Sequence, residues 1–509
     1  MQTLLTWIIF TPMLFAILAI IAPASFEGKL RSLTFIQTLV SAVLAMTLYV
    51  HFDGGVPGAQ MVHLVAWLPE WGINYLVSID GISLPLVMLT AFMSPIALLG
   101  TWPSDKNLKK EKFFVVMLMS LQTGMYGTFL ASDLFLFYFF WEVVLIPMFF
   151  MIGIWGGKDR IYATVKFFLY TMVGSLLMLV AIFWLIKSTT LTNGVPSAAF
   201  ADVSNLTFAF DGSSLWSALK SPQSLLFLAF ALAFVIKVPM VPFHTWLPDA
   251  HVQAPTIGSV FLAAVLLKLG TYGLMRIALP FFPQAAFYFA DFFIMMGVIG
   301  IIYGAFCALA QTDFKKLVAY SSVSHMGYIM VGLFSFQKIA LAGSLYQMIN
   351  HGISAGGLFL IVGFLYERLH TRNLEDFGGF AKTVPLMAIA FMIMTLSSVA
   401  IPGSNGFVGE FTILLGAFQG SPYFALFAGT GVIFGAIYAL RAYQMVMLGP
   451  QTRTDLGHLH DLNNKEIISM IALAVLVFGI GFFPKTFFWK SDATLDAYAH
   501  GLISRSGQP

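Results

Sequence analysis

The run Phe234-Val235-Ile236-Lys237-Val238-Pro239-Met240-Val241-Pro242 places two prolines and a lysine inside an apolar stretch long enough to cross a bilayer. Each proline withholds a backbone donor and crowds the preceding turn, so a helix entering this run must stop or unwind near Lys237. A second interruption, Ile401-Pro402-Gly403-Ser404-Asn405-Gly406, falls midway through another apolar run. Backbone groups freed at membrane depth are tolerated only where they are buried in protein or line a wet cavity. Both interruptions therefore predict a discontinuous transmembrane helix beside internal water.

Working outward, the chain of 509 residues is 59% hydrophobic and only 10% charged. That balance is incompatible with a water-soluble fold around one apolar core and identifies a polytopic membrane protein. Apolar runs of about 20 residues predict fourteen spans near 4–22, 31–52, 80–101, 113–131, 134–154, 161–186, 224–243, 253–279, 287–310, 316–334, 340–366, 384–418, 423–447 and 466–486. The first has no Lys or Arg before it and reads as a span rather than a cleavable signal. An even number of spans puts both termini on one side. Loops on the opposite side hold sixteen of the 26 Lys and Arg, among them Lys106, Lys109, Lys315 and Arg453; the termini side holds seven, among them Arg276. The excess of positive charge marks the inner side, so both ends are expected outside. The net charge of +3 then reflects orientation and not a nucleic-acid surface.

Residues 53–79 alternate apolar residues between glycines and prolines and suggest an outward hairpin. Residues 188–222, rich in Ser, Thr, Asn and Gly, read as an outward loop. A single cysteine, Cys307, excludes a disulfide framework and any cysteine-ligated iron–sulfur cluster or zinc held by this chain alone. There is no phosphate-cradling Gly-x-x-x-x-Gly-Lys-[Ser/Thr] loop and no dinucleotide-binding Gly-x-Gly-x-x-Gly after a strand. Neither hydrolysis nor hydride transfer belongs to this polypeptide.

Five ionisable residues lie inside hydrocarbon-length runs: Glu142, Lys237, Lys268, His351 and Glu410. A charge at the centre of a spanning helix costs roughly 2.5–3.5 kcal/mol on insertion scales, so several together mark an ion path. Lys237 ends the first half of its broken span, where the helix dipole favours a cation; Glu410 lies about one turn into the second half of its own, where the dipole favours an anion. The broken spans are the seventh and twelfth. That spacing is expected if spans four to eight and nine to thirteen are inverted repeats. The predicted fold is all-α, with about fourteen transmembrane helices and two inverted five-helix repeats, each with a discontinuous helix. The corresponding divisions are 1–111, 112–280, 281–450 and 451–509, the last being the fourteenth span followed by a tail.

His325 sits among Ser321, Ser322, Ser324 and Tyr328, and His351 has Gln347 and Ser354 one turn to either side. Each histidine is a candidate proton relay or a hydrogen-bonding core residue, and haem ligation by the pair is conceivable. His244, Asp249 and His251 follow the first break. They read either as a capped turn or as part of a proton entrance.

Several motifs carry a family resemblance. Phe140-Trp141-Glu142-Val143-Val144-Leu145-Ile146-Pro147, Lys237-Val238-Pro239 continuing into Pro242-Phe243-His244-Thr245-Trp246-Leu247-Pro248-Asp249-Ala250-His251, and Ala254-Pro255-Thr256 are the first three. Leu266-Leu267-Lys268-Leu269-Gly270-Thr271-Tyr272-Gly273, Ala319-Tyr320-Ser321-Ser322-Val323-Ser324-His325-Met326-Gly327 and Asn350-His351-Gly352 complete the set. With these the chain resembles, to about residue 490, the antiporter-like subunits of the proton-pumping NADH:quinone oxidoreductase, respiratory complex I. Asn405-Gly406-Phe407-Val408-Gly409-Glu410-Phe411 is similar to the member that carries a glutamate where its sister subunits carry lysine.

The resemblance implies that Glu142 pairs with Lys237 as a switch, that Lys268 passes protons towards His325 and Glu410, and that Lys166 is a further buried lysine of the path. It also implies a place in a bacterial inner membrane beside related antiporter-like subunits, with both termini periplasmic. FMN and iron–sulfur clusters are expected in partner subunits and no cofactor in this chain. A subunit of a multisubunit cation/proton antiporter is the alternative, and a non-pumping scaffold is a third reading.

Overall fold

The computed structural model describes residues 3–23, 28–101, 110–450 and 459–505. The loop cations Lys106, Lys109 and Arg453 lie outside the described residues. Twelve described helices are long and apolar enough to cross a membrane: Leu4–Ile21, Leu30–His51, Ser83–Gly100, Glu111–Leu130, Leu134–Trp155, Arg160–Thr192, Thr256–Phe281, Ala290–Leu309, Phe314–Phe334, Lys338–Leu369, Pro422–Leu448 and Asn464–Phe482. The two remaining expected spans are each split. Pro222–Lys237 is followed by Trp246–Gln253, and Pro385–Ser398 by Asn405–Gly420. A 16-residue half such as Pro222–Lys237 rises only about 24 Å, short of a hydrocarbon core about 30 Å thick. Each break thus falls at membrane depth, where the prolines predict it.

The connections segregate to two faces. On one, a hairpin pairs Gln60–Leu68 with Ile73–Ile79. It is stitched to two other connections by Ser132 N donating to Leu76 O (2.9 Å) and Ala198 N donating to Gly72 O (2.9 Å). Gly72 is required there: its φ is +65°, and a Cβ would lie 2.0 Å from Pro196 O. Thr6 meets His63 of the hairpin at 2.9 Å, and Arg505 donates to Ser204 O at 3.2 Å, so both described ends share this face. On the opposite face Arg31 pairs with Glu111 (2.6 Å), Arg368 with Glu466 (2.6 Å) and Gly157 N with Gln253 O (2.9 Å).

Three expectations need correction. The predicted loop 188–222 is largely helical: the sixth span runs to Asn193, and Phe200–Ser204 and Leu215–Lys220 follow. The segment after the last span is not a tail but a 22-residue helix, Pro484–Arg505, lying against the hairpin face. Phe488, Ser491, Leu495, Ala499 and Leu502 are its buried stripe at helical spacing. Lys490 donates to the C-terminal carbonyls of the second helix, Tyr49 O and Phe52 O, at 2.5 and 2.7 Å. Finally, Arg276 and Lys315 are not loop residues. Arg276 lies within Thr256–Phe281 and pairs with Asp80, and Lys315 is buried in the first turn of Phe314–Phe334.

Two halves of the bundle repeat one plan. Asp133 caps Leu134–Trp155 by accepting from Phe135 N and Leu136 N; Asp313 caps Phe314–Phe334 by accepting from Lys316 N. Asp133 forms a backbone bridge to Ala199, and Asp313 forms one to Asn373, each beyond the next long helix. Those long helices have 34 and 32 residues, and each leads into a broken helix. The helices that follow the breaks contain π turns, at Leu262–Leu266 and Leu274–Ala278 in one half and at Gln444–Leu448 in the other. Five crossings per unit is odd, so the units enter from opposite faces. Accordingly Asp133 accepts from the hairpin residue Asn74, whereas Asp313 pairs with Arg372 on the other face.

Candidate proton-relay site

Lys268 lies on a helix whose apolar window is wholly enclosed by protein, and the lysine itself is fully buried. The π turn Leu262–Leu266 widens that helix just before it. The Ala263 carbonyl of this turn accepts from Lys268 Nζ at 2.5 Å, and His351 Nδ1 lies 2.6 Å from the same nitrogen. His351 comes from Lys338–Leu369, the other wholly enclosed helix. Facing a lysine donor, His351 Nδ1 presents its lone pair. Its Nε2 has no hydrogen-bond partner among the described residues.

The second histidine continues the file. The His325 and His351 rings are 5.5 Å apart between centroids. His325 Nδ1 lies 2.6 Å from Glu410 Oε1, and its Nε2 lies 3.1 Å from Ser398 Oγ and 3.2 Å from the Tyr438 hydroxyl. Gln347 Nε2 donates to the same Glu410 oxygen at 2.9 Å. Gly409 makes room for that glutamine, since a Cβ there would lie 2.2 Å from Gln347 Oε1. Ser397 and Asn405 flank the second break. They tie it to Lys338–Leu369 through Ser354 Oγ to Ser397 Oγ (2.5 Å), Ser397 Oγ to Asn405 Oδ1 (2.5 Å) and Asn405 Nδ2 to Asn350 O (3.2 Å). His325, His351, Gln347, Ser354, Ser397 and Glu410 border a cavity of about 10 Å³, enough for about one water. The unpartnered His351 Nε2 and Gln347 Oε1 are polar groups such a water would satisfy.

The first half of the predicted path is arranged differently. Lys237 is buried at the end of its half-helix, yet its Nζ has no hydrogen-bond partner among the described residues and lies 4.6 Å from the centroid of the Trp141 ring. Glu142 Oε1 is also unpartnered. The implied Glu142–Lys237 ion pair is open in this structure. Trp141, not Glu142, occupies the helix face packed on the lysine. Glu142 is half-buried on the neighbouring stripe, between the exposed Phe139 and Ile146.

Lys166 forms an ion pair with Asp249 Oδ2 at 2.7 Å, so Asp249 is a charge partner across helices. His251 is fully buried, stacked on Phe359 with centroids 4.3 Å apart, and neither ring nitrogen has a partner. His244 lies edge-on to Tyr303 at 5.1 Å. Neither ring caps Trp246–Gln253, which has no side-chain cap. The structure therefore gathers Lys268, His351, His325 and Glu410 into one file and leaves Lys237 with Glu142, and Lys166 with Asp249, as separate stations. Sequence reasoning missed Tyr438 and Ser398 as histidine partners. Neither carries any signal beyond being a polar residue in an apolar run.

A helical membrane bundle with two oppositely entering units, each with a broken helix, and a buried Lys–His–His–Glu file between them defines an antiporter-like ion-translocating subunit. The chain belongs to the NADH:quinone oxidoreductase/Mrp antiporter transmembrane family, whose description matches residues 131–435. It is 43% identical over 488 residues to NADH-quinone oxidoreductase subunit M of Rhodobacter capsulatus, covering 95% of this chain and 94% of that one. A chain of respiratory complex I from Thermus thermophilus superposes with a TM-score of 0.87 at 30% identity, covering 98% of this chain and 99% of the other. A chain of the Mrp complex from a Dietzia species shares the fold, with a TM-score of 0.84 at 18% identity over 99% of both.

Proposed function

We infer that the chain is a proton-translocating membrane-arm subunit of an NADH:quinone oxidoreductase. The observation that carries this reading is the file of exchangeable groups in which Lys268 Nζ contacts His351, the His351 and His325 rings lie 5.5 Å apart, and His325 contacts Glu410. A proton leaving Lys268 Nζ for His351 Nδ1 leaves a neutral amine and an imidazolium. His351 Nε2 can pass its own proton through one water to His325, and His325 Nδ1 is in direct contact with Glu410. Histidine suits both middle positions because either ring nitrogen can receive while the other releases.

Lys237 and Glu142 act as the switch upstream of this file, and the state described is the one with their pair open. Closing the pair would hold the lysine proton; reopening it would free that proton for Lys268. Moving one charge against 100 mV takes about 2.3 kcal/mol. That is within the range in which breaking a partly buried ion pair acts. Lys166, His244 and His251 belong to the supply side of the path. Redox chemistry, with FMN and iron–sulfur clusters, belongs to partner subunits, and related antiporter-like subunits flank this one in the bilayer. Residues 112–280 and 281–450 are the two translocating units, and both termini face the periplasm of a bacterial plasma membrane.

The alternative, a subunit of a multisubunit cation/proton antiporter, draws on the shared fold and on a family that spans both kinds of complex. NADH-driven proton uptake by the assembled complex in membrane vesicles, recorded together with quinone turnover, separates the two. Lys237→Ala is expected to abolish uptake and to slow turnover with it. Unchanged uptake and turnover would overturn the reading.

A further inference from the structure

Lys315 is a buried lysine that the relay described above does not use. It is only 6% exposed although it lies in the first turn of Phe314–Phe334, next to the face opposite the termini. A lysine this close to a helix end ordinarily extends its ammonium to water. This one turns inward and donates to Ala254 O at 2.6 Å; its other ammonium protons have no acceptor among the described residues. The neighbouring Asp313 carboxylate is engaged elsewhere, capping its own helix and pairing with Arg372 at 3.3 Å.

Ala254 belongs to the turn that joins the lower half of the first broken helix to the helix carrying Lys268. Arg372 holds the same turn from outside, donating to Val252 O at 2.5 Å. Three residues before Ala254, in the helix Trp246–Gln253, is His251, fully buried, with both ring nitrogens unpartnered among the described residues. Because Arg372 already pins the turn, a second cation is not needed to hold it. A lysine poised between that surface and an unsatisfied imidazole can instead hand on a proton.

We propose that Lys315 is the entrance of the path, taking protons from water at the face opposite the termini and delivering them through His251 to the Lys268–His351 pair. In the step, an N–H bond of the Lys315 ammonium breaks and one forms at a His251 ring nitrogen. Lys315 is left as a neutral amine, and a proton from the aqueous side restores it. This assignment rests on the proton-translocating reading above.

The test uses the assembled complex in vesicles, with proton uptake and quinone turnover recorded together. Lys315→Arg keeps the charge and the contact with Ala254 O but cannot give up a proton. The expected result is normal assembly with uptake reduced on the order of tenfold or more, matching Lys315→Met. Lys315→His should recover part of the uptake, with a pH profile displaced towards the titration range of histidine. Wild-type uptake in Lys315→Arg would overturn the proposal and make Lys315 a clamp. Should Lys315→Arg fail to assemble, uptake by Lys315→His but not Lys315→Met supports the entrance, and equal uptake by those two overturns it. Loss of uptake in Lys268→Ala together with normal uptake in Lys315→Met would leave the relay standing and place its entrance elsewhere.

Discussion

Lys268 Nζ and His351 Nδ1 meet at 2.6 Å between the two helices most deeply enclosed in the bundle. The contact joins the two halves: Lys268 belongs to the first unit and His351 to the second. On the proposed path a proton passing between the units would cross one hydrogen bond, and its loss should divide that path.

Lys268→Met removes the donor to both Ala263 O and His351 Nδ1 while keeping the side-chain volume. Proton uptake by the assembled complex is expected to fall on the order of a hundredfold, with assembly retained because the methionine fills the apolar shell. Uptake assays paired with immunodetection of the complex would check both halves of the prediction.

His325→Leu strands the Glu410 carboxylate, leaving Gln347 Nε2 as its remaining side-chain donor. Leaving a buried hydrogen-bonding group without its partner costs about 1–3 kcal/mol, so the variant should be thermally destabilised as well as inactive. His325→Gln, which can still donate to Glu410, should recover most of the stability and little of the pumping. Thermal unfolding and uptake, measured side by side, separate the two effects.

Gly409→Ala would push a methyl against Gln347 Oε1 at 2.2 Å and displace the amide that donates to Glu410. Overpacking of this kind costs about 1–3 kcal/mol. The expected outcome is slower pumping at near-normal assembly, measured as proton uptake beside immunodetection of the complex. Wild-type uptake in Gly409→Ala would contradict the steric account.

Trp141→Leu removes the ring beneath the Lys237 ammonium, a contact of a kind worth about 0.5–2 kcal/mol. Pumping should weaken severalfold, and Trp141→Phe should retain more of it than Trp141→Leu. Proton uptake across pH in the three forms would show whether the ring supports the open state of Lys237.

Lys490→Ala deletes the donor to Tyr49 O and Phe52 O that fastens Pro484–Arg505 to the second helix. Hydrogen bonds from a charged donor contribute about 1.5–3 kcal/mol each. The C-terminal helix should become sensitive to protease in the intact complex, with proton uptake little changed.

The parts legible in the sequence are those that are expensive in a bilayer. Prolines at 239, 242 and 402 and charges at Lys237, Lys268 and Glu410 stand out because hydrocarbon penalises them. Their partners are cheap and distant. Ser398 and Tyr438 reach His325 across 73 and 113 residues of chain, a proximity that only tertiary packing creates. Lys315 and Arg276 were placed in loops because a charge near the end of an apolar run looks solvated, and only burial against other helices shows otherwise. The family resemblance implied an ion pair of Glu142 with Lys237, but nothing in the sequence showed that the Trp141 ring packs against the lysine. The amphipathic stripe of Pro484–Arg505 was present in the sequence, hidden by its charges.

Because the two five-helix units enter the bilayer from opposite faces, a half turn about an axis in the membrane plane would roughly exchange them. Such a scaffold has no built-in arrow. Vectorial transport must then reside in side chains that break the pseudosymmetry: a lysine stands at the first discontinuity, and a carboxylate lies just past the second. Reversing that single chemical asymmetry, with little change to the backbone, is where a preference of direction could be rewritten.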